Sequence, residues 1–141
     1  EYLIADAEID ILQGRADQAA EKLAGQLELS PGNHPLTMTY AKALMRNQQA
    51  HIAEEVLVAQ SKLRPNHPGL WYLLAEVQGL SGNISGLHQS RAEYFILNGN
   101  LDAAETQLSY ALKLTRGDYP TNAKINQRLA DIAEIRAQMD A

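Results

Sequence analysis

The feature that most constrains this chain is recurrence at one fixed spacing. Pro31 and Pro65 lie 34 residues apart, as do Ala19 and Ala53, and Leu23 and Leu57. Ala7, Ala41 and Ala75 repeat at that interval, and so do Gly14, Gln48 and Gly82. The loops rhyme as well: Pro31-Gly32-Asn33-His34-Pro35 resembles Arg64-Pro65-Asn66-His67-Pro68. Several such pairs in one register mean that the chain is built of copies. Each residue type has a physical reason. Antiparallel helices approach closely only where side chains are small, hence the alanines, while Leu23, Leu27, Leu44, Leu57 and Trp71 fill the space around them and are expected in the core. Gly14 and Gly82 suit the left-handed turn that ends a helix. Pro35 and Pro68 suit a first helical turn, where the missing N–H has no partner to lose. The pattern predicts helices near 2–13, 16–29, 35–47, 50–63, 68–81, 84–98, 101–115 and 120–139, with short connections and therefore antiparallel neighbours.

A period of 34 with Ala at close contacts, Gly between helices and Pro at the end resembles the tetratricopeptide repeat, a helix-turn-helix unit. The resemblance implies an all-α fold, an α-α superhelix of about eight antiparallel helices forming a single repeat domain over residues 1–141.

The second half departs from the register. Leu101 to Leu112 is the best second-helix match in the chain, yet Gly99 follows Gly82 by 17 residues, half a repeat. The helix near 84–98 must therefore close one unit and open the next. Ala92 and Phe95 suit the first-helix role, whereas Arg91 and Tyr94 fill second-helix contact positions poorly. A phase shift near residue 84 is expected, bending the stack or closing it into a pocket.

The last predicted helix gathers Ile125, Leu129, Ile132, Ala133 and Ile135 on one side and polar residues elsewhere, as a terminal cap does. The first is apolar around much of its circumference (Leu3, Ile4, Ala7, Ile9, Ile11, Leu12) and wants cover. With Glu1 in place of Met and no leader pattern, the chain reads as excised from a larger protein whose upstream part packs there.

Reactive chemistry is not evident. The chain has no cysteine, which excludes disulfides, cysteine nucleophiles and thiolate metal sites. There is no HExxH, no Gly-rich phosphate loop and no nucleophile elbow around any serine. Carboxylate pairs such as Asp6/Asp10 and Glu54/Glu55 read as surface charge. His34 and His67 occupy corresponding loops. They read as helix-border residues duplicated with their loop, against the alternative of a ligand or pH-sensing pair. A net charge of −5 argues against a broad nucleic-acid footprint, and no apolar run is long enough to span a bilayer. No catalytic, cofactor or metal residue is assigned to these residues.

In related repeats the first helices line a groove. Carried onto this chain, the second unit offers Met38, Lys42, Met45 and Arg46, the third Tyr72, Glu76 and Leu80, and the half-shifted unit Gln89, Glu93 and Ile96. Adaptable methionine and tyrosine with mixed charge suit protein binding; for Met38 and Met45 core filling is an equal reading.

The segment His88-Gln89-Ser90-Arg91-Ala92-Glu93-Tyr94-Phe95, continuing through Leu97-Asn98-Gly99-Asn100 to Ala104, Gln107-Leu108 and Ala111-Leu112, carries a more specific likeness. It resembles the C-terminal repeat domain of periplasmic zinc metalloproteases of Gram-negative bacteria, the beta-barrel assembly-enhancing protease family, as do Asn33-His34-Pro35-Leu36 and Pro68-Gly69-Leu70-Trp71. The resemblance implies an upstream peptidase domain that holds zinc through HExxH, a periplasmic location, and a repeat domain without a cofactor of its own. Its partners would be its own peptidase domain and outer-membrane barrel assembly components or their substrates. His88, Arg91 and Tyr94 would be contacts to the peptidase domain or pocket lining, unless they merely satisfy one another where two registers meet.

Overall fold

The computed structural model describes residues 2–141, and every regular element among them is an α-helix. The helices are α1 (Tyr2–Leu12), α2 (Ala16–Leu29), α3 (His34–Arg46), α4 (Ala50–Leu63), α5 (Pro68–Ser81), α6 (Ile84–Leu97), α7 (Leu101–Leu114) and α8 (Tyr119–Met139). They group into two compact units, Glu1–Pro65 and Asn66–Ala141.

In the first unit the repeated alanines and leucines form the core: Ala7, Ala19, Leu23, Ala41, Leu44, Ala53 and Leu57 are all buried. Burying each leucine contributes about 1.5–3 kcal/mol relative to leaving it in water. α1 pairs with α2, α3 packs on both, and α4 pairs with α3, so the crease between α1 and α2 is roofed by α3. Asp10 is buried near the turn after α1. Arg15 Nε donates to its Oδ1 at 3.0 Å and Lys22 Nζ lies 3.4 Å from Oδ2. On α1, Ile9 is half-exposed and Leu12 is 86% exposed.

The second unit contains the break in register, and its turns show it. Four turns share one geometry, in which an amide donates five residues back across a left-handed residue. They are Arg15 to Asp10 across Gly14, Gln49 to Leu44 across Gln48, Asn83 to Gln78 across Gly82, and Asn100 to Phe95 across Gly99. These turns follow α1, α3, α5 and α6. α2, α4 and α7 instead run into longer loops. α6 thus begins after the turn that introduces a second helix and ends in the turn that follows a first helix. It is covered from two sides, by α5 and by α7. Toward α5 it presents Gly86 and Ser90, whose hydroxyl donates to Gln78 Oε1 at 2.6 Å. On another side Ala92, Phe95 and Ile96 join Leu101, Ala104, Leu108, Ala111, Ile125 and Ile132 in the core of the unit. The expected half-repeat shift is present. Its consequence is that α5 and α7 make no contact comparable to that between α1 and α3.

α8 lies on α7 through Ile125 and Ile132, with Leu129 and Ile135 partly buried; Ala133, expected on that side, is exposed. Arginines add to the attachment. Arg128 makes a two-pronged bond to Glu93 of α6 at 2.7 and 2.8 Å, which holds its guanidinium proton more tightly than usual. Arg136 pairs with Asp102 and Glu105 of α7.

Two expectations need correction. Trp71 is half-buried, and Leu70, Leu73 and Leu74 fill the core beside it, as suits a ring too large to be enclosed by one hairpin. His34 and His67 are not equivalent. His67 is the N-cap of α5, its Nδ1 accepting from the Leu70 amide, while Asn33 holds that place before α3. His34 sits inside α3 and meets the buried Gln60 amide at 3.0 Å. The helix starts keep the 34-residue interval whereas the His-Pro pairs are 33 apart, so the loops slip by one residue.

Candidate functional site

The shift leaves a groove within the second unit. α5 supplies Tyr72, Ala75, Glu76, Gly79 and Leu80, and α6 supplies Leu87, Arg91, Tyr94 and Phe95. On each helix these residues recur at three- and four-residue intervals, so they form one face. Leu87 and Arg91 stand where the second helix α4 carries the buried Ala53 and Leu57. Between the closely packed α5 and α6 runs a cavity of about 540 Å³. That is within the roughly 300–1,000 Å³ common for binding clefts.

Aromatic rings form much of the wall. Tyr72 and Tyr94 approach to 5.4 Å between centroids, and Tyr94 meets Phe95 at 5.7 Å in an edge-on contact. Such tilted pairs hold rings in place without covering their outer faces. Tyr72 and Leu80, on the same face of α5, are each 63% exposed. Gly79 keeps the floor low: a Cβ there would lie 3.1 Å from Leu87 Cδ1. Gly86 lets α6 approach α5 behind the groove, since its Cβ would fall 2.5 Å from the Asn83 amide and 2.7 Å from that of Gln78. Neither neighbour moves freely, because Asn83 caps α6 through the Gly86 amide and Gln78 holds Ser90. Glu76 and Arg91 are the charged residues of the lining, and both are exposed.

Of the residues singled out from sequence, Tyr72, Glu76, Leu80, Arg91 and Tyr94 come together here. The other candidates of the half-shifted unit do not. Gln89 donates to Ser85 of its own helix at 3.0 Å, Glu93 is engaged by Arg128, and Ile96 packs into the core. His88 turns to α7, where its Nδ1 meets Gln107 Oε1 at 2.7 Å and its ring lies 5.3 Å from that of Tyr110. Met38 and Met45 are half-buried on α3 of the first unit, with Lys42 and Arg46 exposed on the same helix. Gly79, Leu87 and Phe95 were missed. Extending the helical spacing from Glu76 reaches Gly79, and from Arg91 it reaches Leu87 and Phe95, so the signal was in the sequence.

Residues 10–77 match the family model of the tetratricopeptide repeat. The match begins at Asp10 of α1 and ends within α5, spanning the part of the chain where the 34-residue register is unbroken. It supports a tetratricopeptide repeat domain, and with it a protein–protein interaction module. The groove lies at the edge of that match, where the matched helices give way to the shifted helix α6. Among the described residues no three His, Asp or Glu side chains converge as metal ligands, and no helix is long and apolar enough to cross a membrane.

Proposed function

We propose that this chain is a non-catalytic protein-interaction module that captures partners in the α5–α6 groove. We propose further that it is the docking and regulatory repeat domain of a periplasmic zinc metalloprotease acting in outer-membrane protein assembly and quality control. The groove is the observation that carries the first statement. It is an open apolar cleft with one exposed ring, Tyr72, two half-buried ones, one acid and one base, in a fold whose repeats serve protein contacts. The second statement is supported by the likeness of residues 88–112 to that protease family, a segment that supplies Arg91, Tyr94 and Phe95 to the groove. The exposed Ile9 and Leu12 suit a packed neighbour such as a peptidase domain, which would hold the zinc.

The test is binding of purified outer-membrane barrel assembly components to the 141-residue chain, compared with Tyr72→Ala and with a Lys42→Glu/Arg46→Glu double reversal. Loss of an exposed aromatic anchor costs about 1–2 kcal/mol, so Tyr72→Ala weakens binding roughly five- to thirtyfold. The double reversal on α3 has little effect. Binding that ignores Tyr72→Ala contradicts the groove. Capture of short peptides with no affinity for assembly components leaves a general peptide-binding scaffold in its place. Hydrolysis of an unfolded protein by the pure chain overturns the non-catalytic assignment.

A further inference from the structure

In the first unit the crease between a first helix and its successor is roofed by another helix: α3 lies across α1 and α2. The equivalent crease between α5 and α6 has no such roof within its unit, because α6 stands between α5 and α7. The groove is that uncovered crease. We propose, building on the binding role above, that its occupant is an amphipathic α-helix of a partner protein, seated as α3 is seated in the first unit. Three observations support a helix over an extended segment. The same arrangement of two helices is already covered by a helix elsewhere in the chain. The lining recurs at helical intervals on both walls, which offers ridges for a third helix to enter. The walls present side chains and no unpaired sheet edge, so an extended strand has no backbone ladder to join. Charge complementarity fixes the rest of the partner's chemistry. Apolar residues at three- and four-residue spacing meet Tyr72, Leu80 and Tyr94; a basic residue faces Glu76 and an acidic one faces Arg91.

Selection from two displayed peptide libraries tests this, one presenting residues on a stable helix and one unstructured, with the 141-residue chain as target. The expected binders come from the helical library and show the apolar spacing with one acid and one base. Their dissociation constants rise roughly tenfold on Arg91→Glu and recover when the peptide's acid is reversed to lysine. Both charges are exposed, so these variants retain the fold, checked by circular dichroism. Binders from the unstructured library that tolerate proline throughout, yet still respond to Tyr72→Ala, overturn the helix and leave the binding groove standing. No enrichment, or binders indifferent to both substitutions, removes groove and helix together. Concentration-dependent dimerisation abolished by Arg91→Glu makes the occupant a second copy and overturns the partner helix.

Discussion

Single residues decide the turns on which the repeat depends. Gly14, Gln48 and Gly82 occupy one repeated position, and all three have positive φ, of 80°, 61° and 85°. A side chain in that conformation costs about 1–2 kcal/mol, part of which glycine gives back through its freer unfolded chain. Gln48→Gly is therefore expected to raise stability by about 0.5–1 kcal/mol in urea denaturation. A loss of stability would mean that the Gln48 side chain makes a contact worth more than the strain. This strain was not legible in advance: the spacing placed Gln48 opposite two glycines, but only the backbone shows that it follows them. Asp10 offers a second test at this scale. The Arg15 hydrogen bond, with Lys22 beside it, holds its carboxyl below the usual carboxylate range despite burial acting the other way. A depressed folded value means that the contribution is complete above the unfolded carboxylate value and disappears as pH falls through the folded one. Asp10→Asn should lower stability at neutral pH and flatten the acid limb below about pH 4. Parallel acid limbs for variant and parent would contradict the assignment.

Among the elements, α6 carries the account. Its identity was readable from Ala92, Gly99, Ala104 and Ala111, which continue the first-then-second-helix pattern half a repeat early. Its direction of closure was not. Whether Arg91 and Tyr94 would be buried, paired or left lining a cavity depends on how closely α5 and α6 approach, and that is set by Gly86 with Gln78 and Ser90. The same limit explains Glu93 and His88, whose partners Arg128 and Gln107 lie on helices that no period connects to them. Gly86→Ala should destabilise by about 1–3 kcal/mol, because its methyl meets a capping side chain and a bonded amide that cannot give way without loss. Gly25→Ala is the control: nothing lies within 4 Å of that Cβ position in the helix α2, and it should stabilise by about 0.5–1 kcal/mol. Equal effects at the two glycines in thermal unfolding would show that the α5–α6 approach is not close.

At the scale of the whole molecule, each unit holds four helices, and the difference between them is that α6 both closes one hairpin and opens the next. In the first unit α3 covers the crease between α1 and α2. Where the register slips, α5 and α6 meet without a roof in their own unit, and Tyr72 and Leu80 face water. The chain's lack of cysteine makes this directly measurable, since a single introduced thiol reports its own exposure without background. Leu80→Cys in the groove should react with a soluble thiol reagent as fast as Leu114→Cys, which is exposed to a similar degree at the end of α7, and far faster than Leu108→Cys in the core. Protection of the thiol at position 80 to the level of the one at 108 would show that the crease is covered after all, and would contradict the open groove on which the proposed binding role rests.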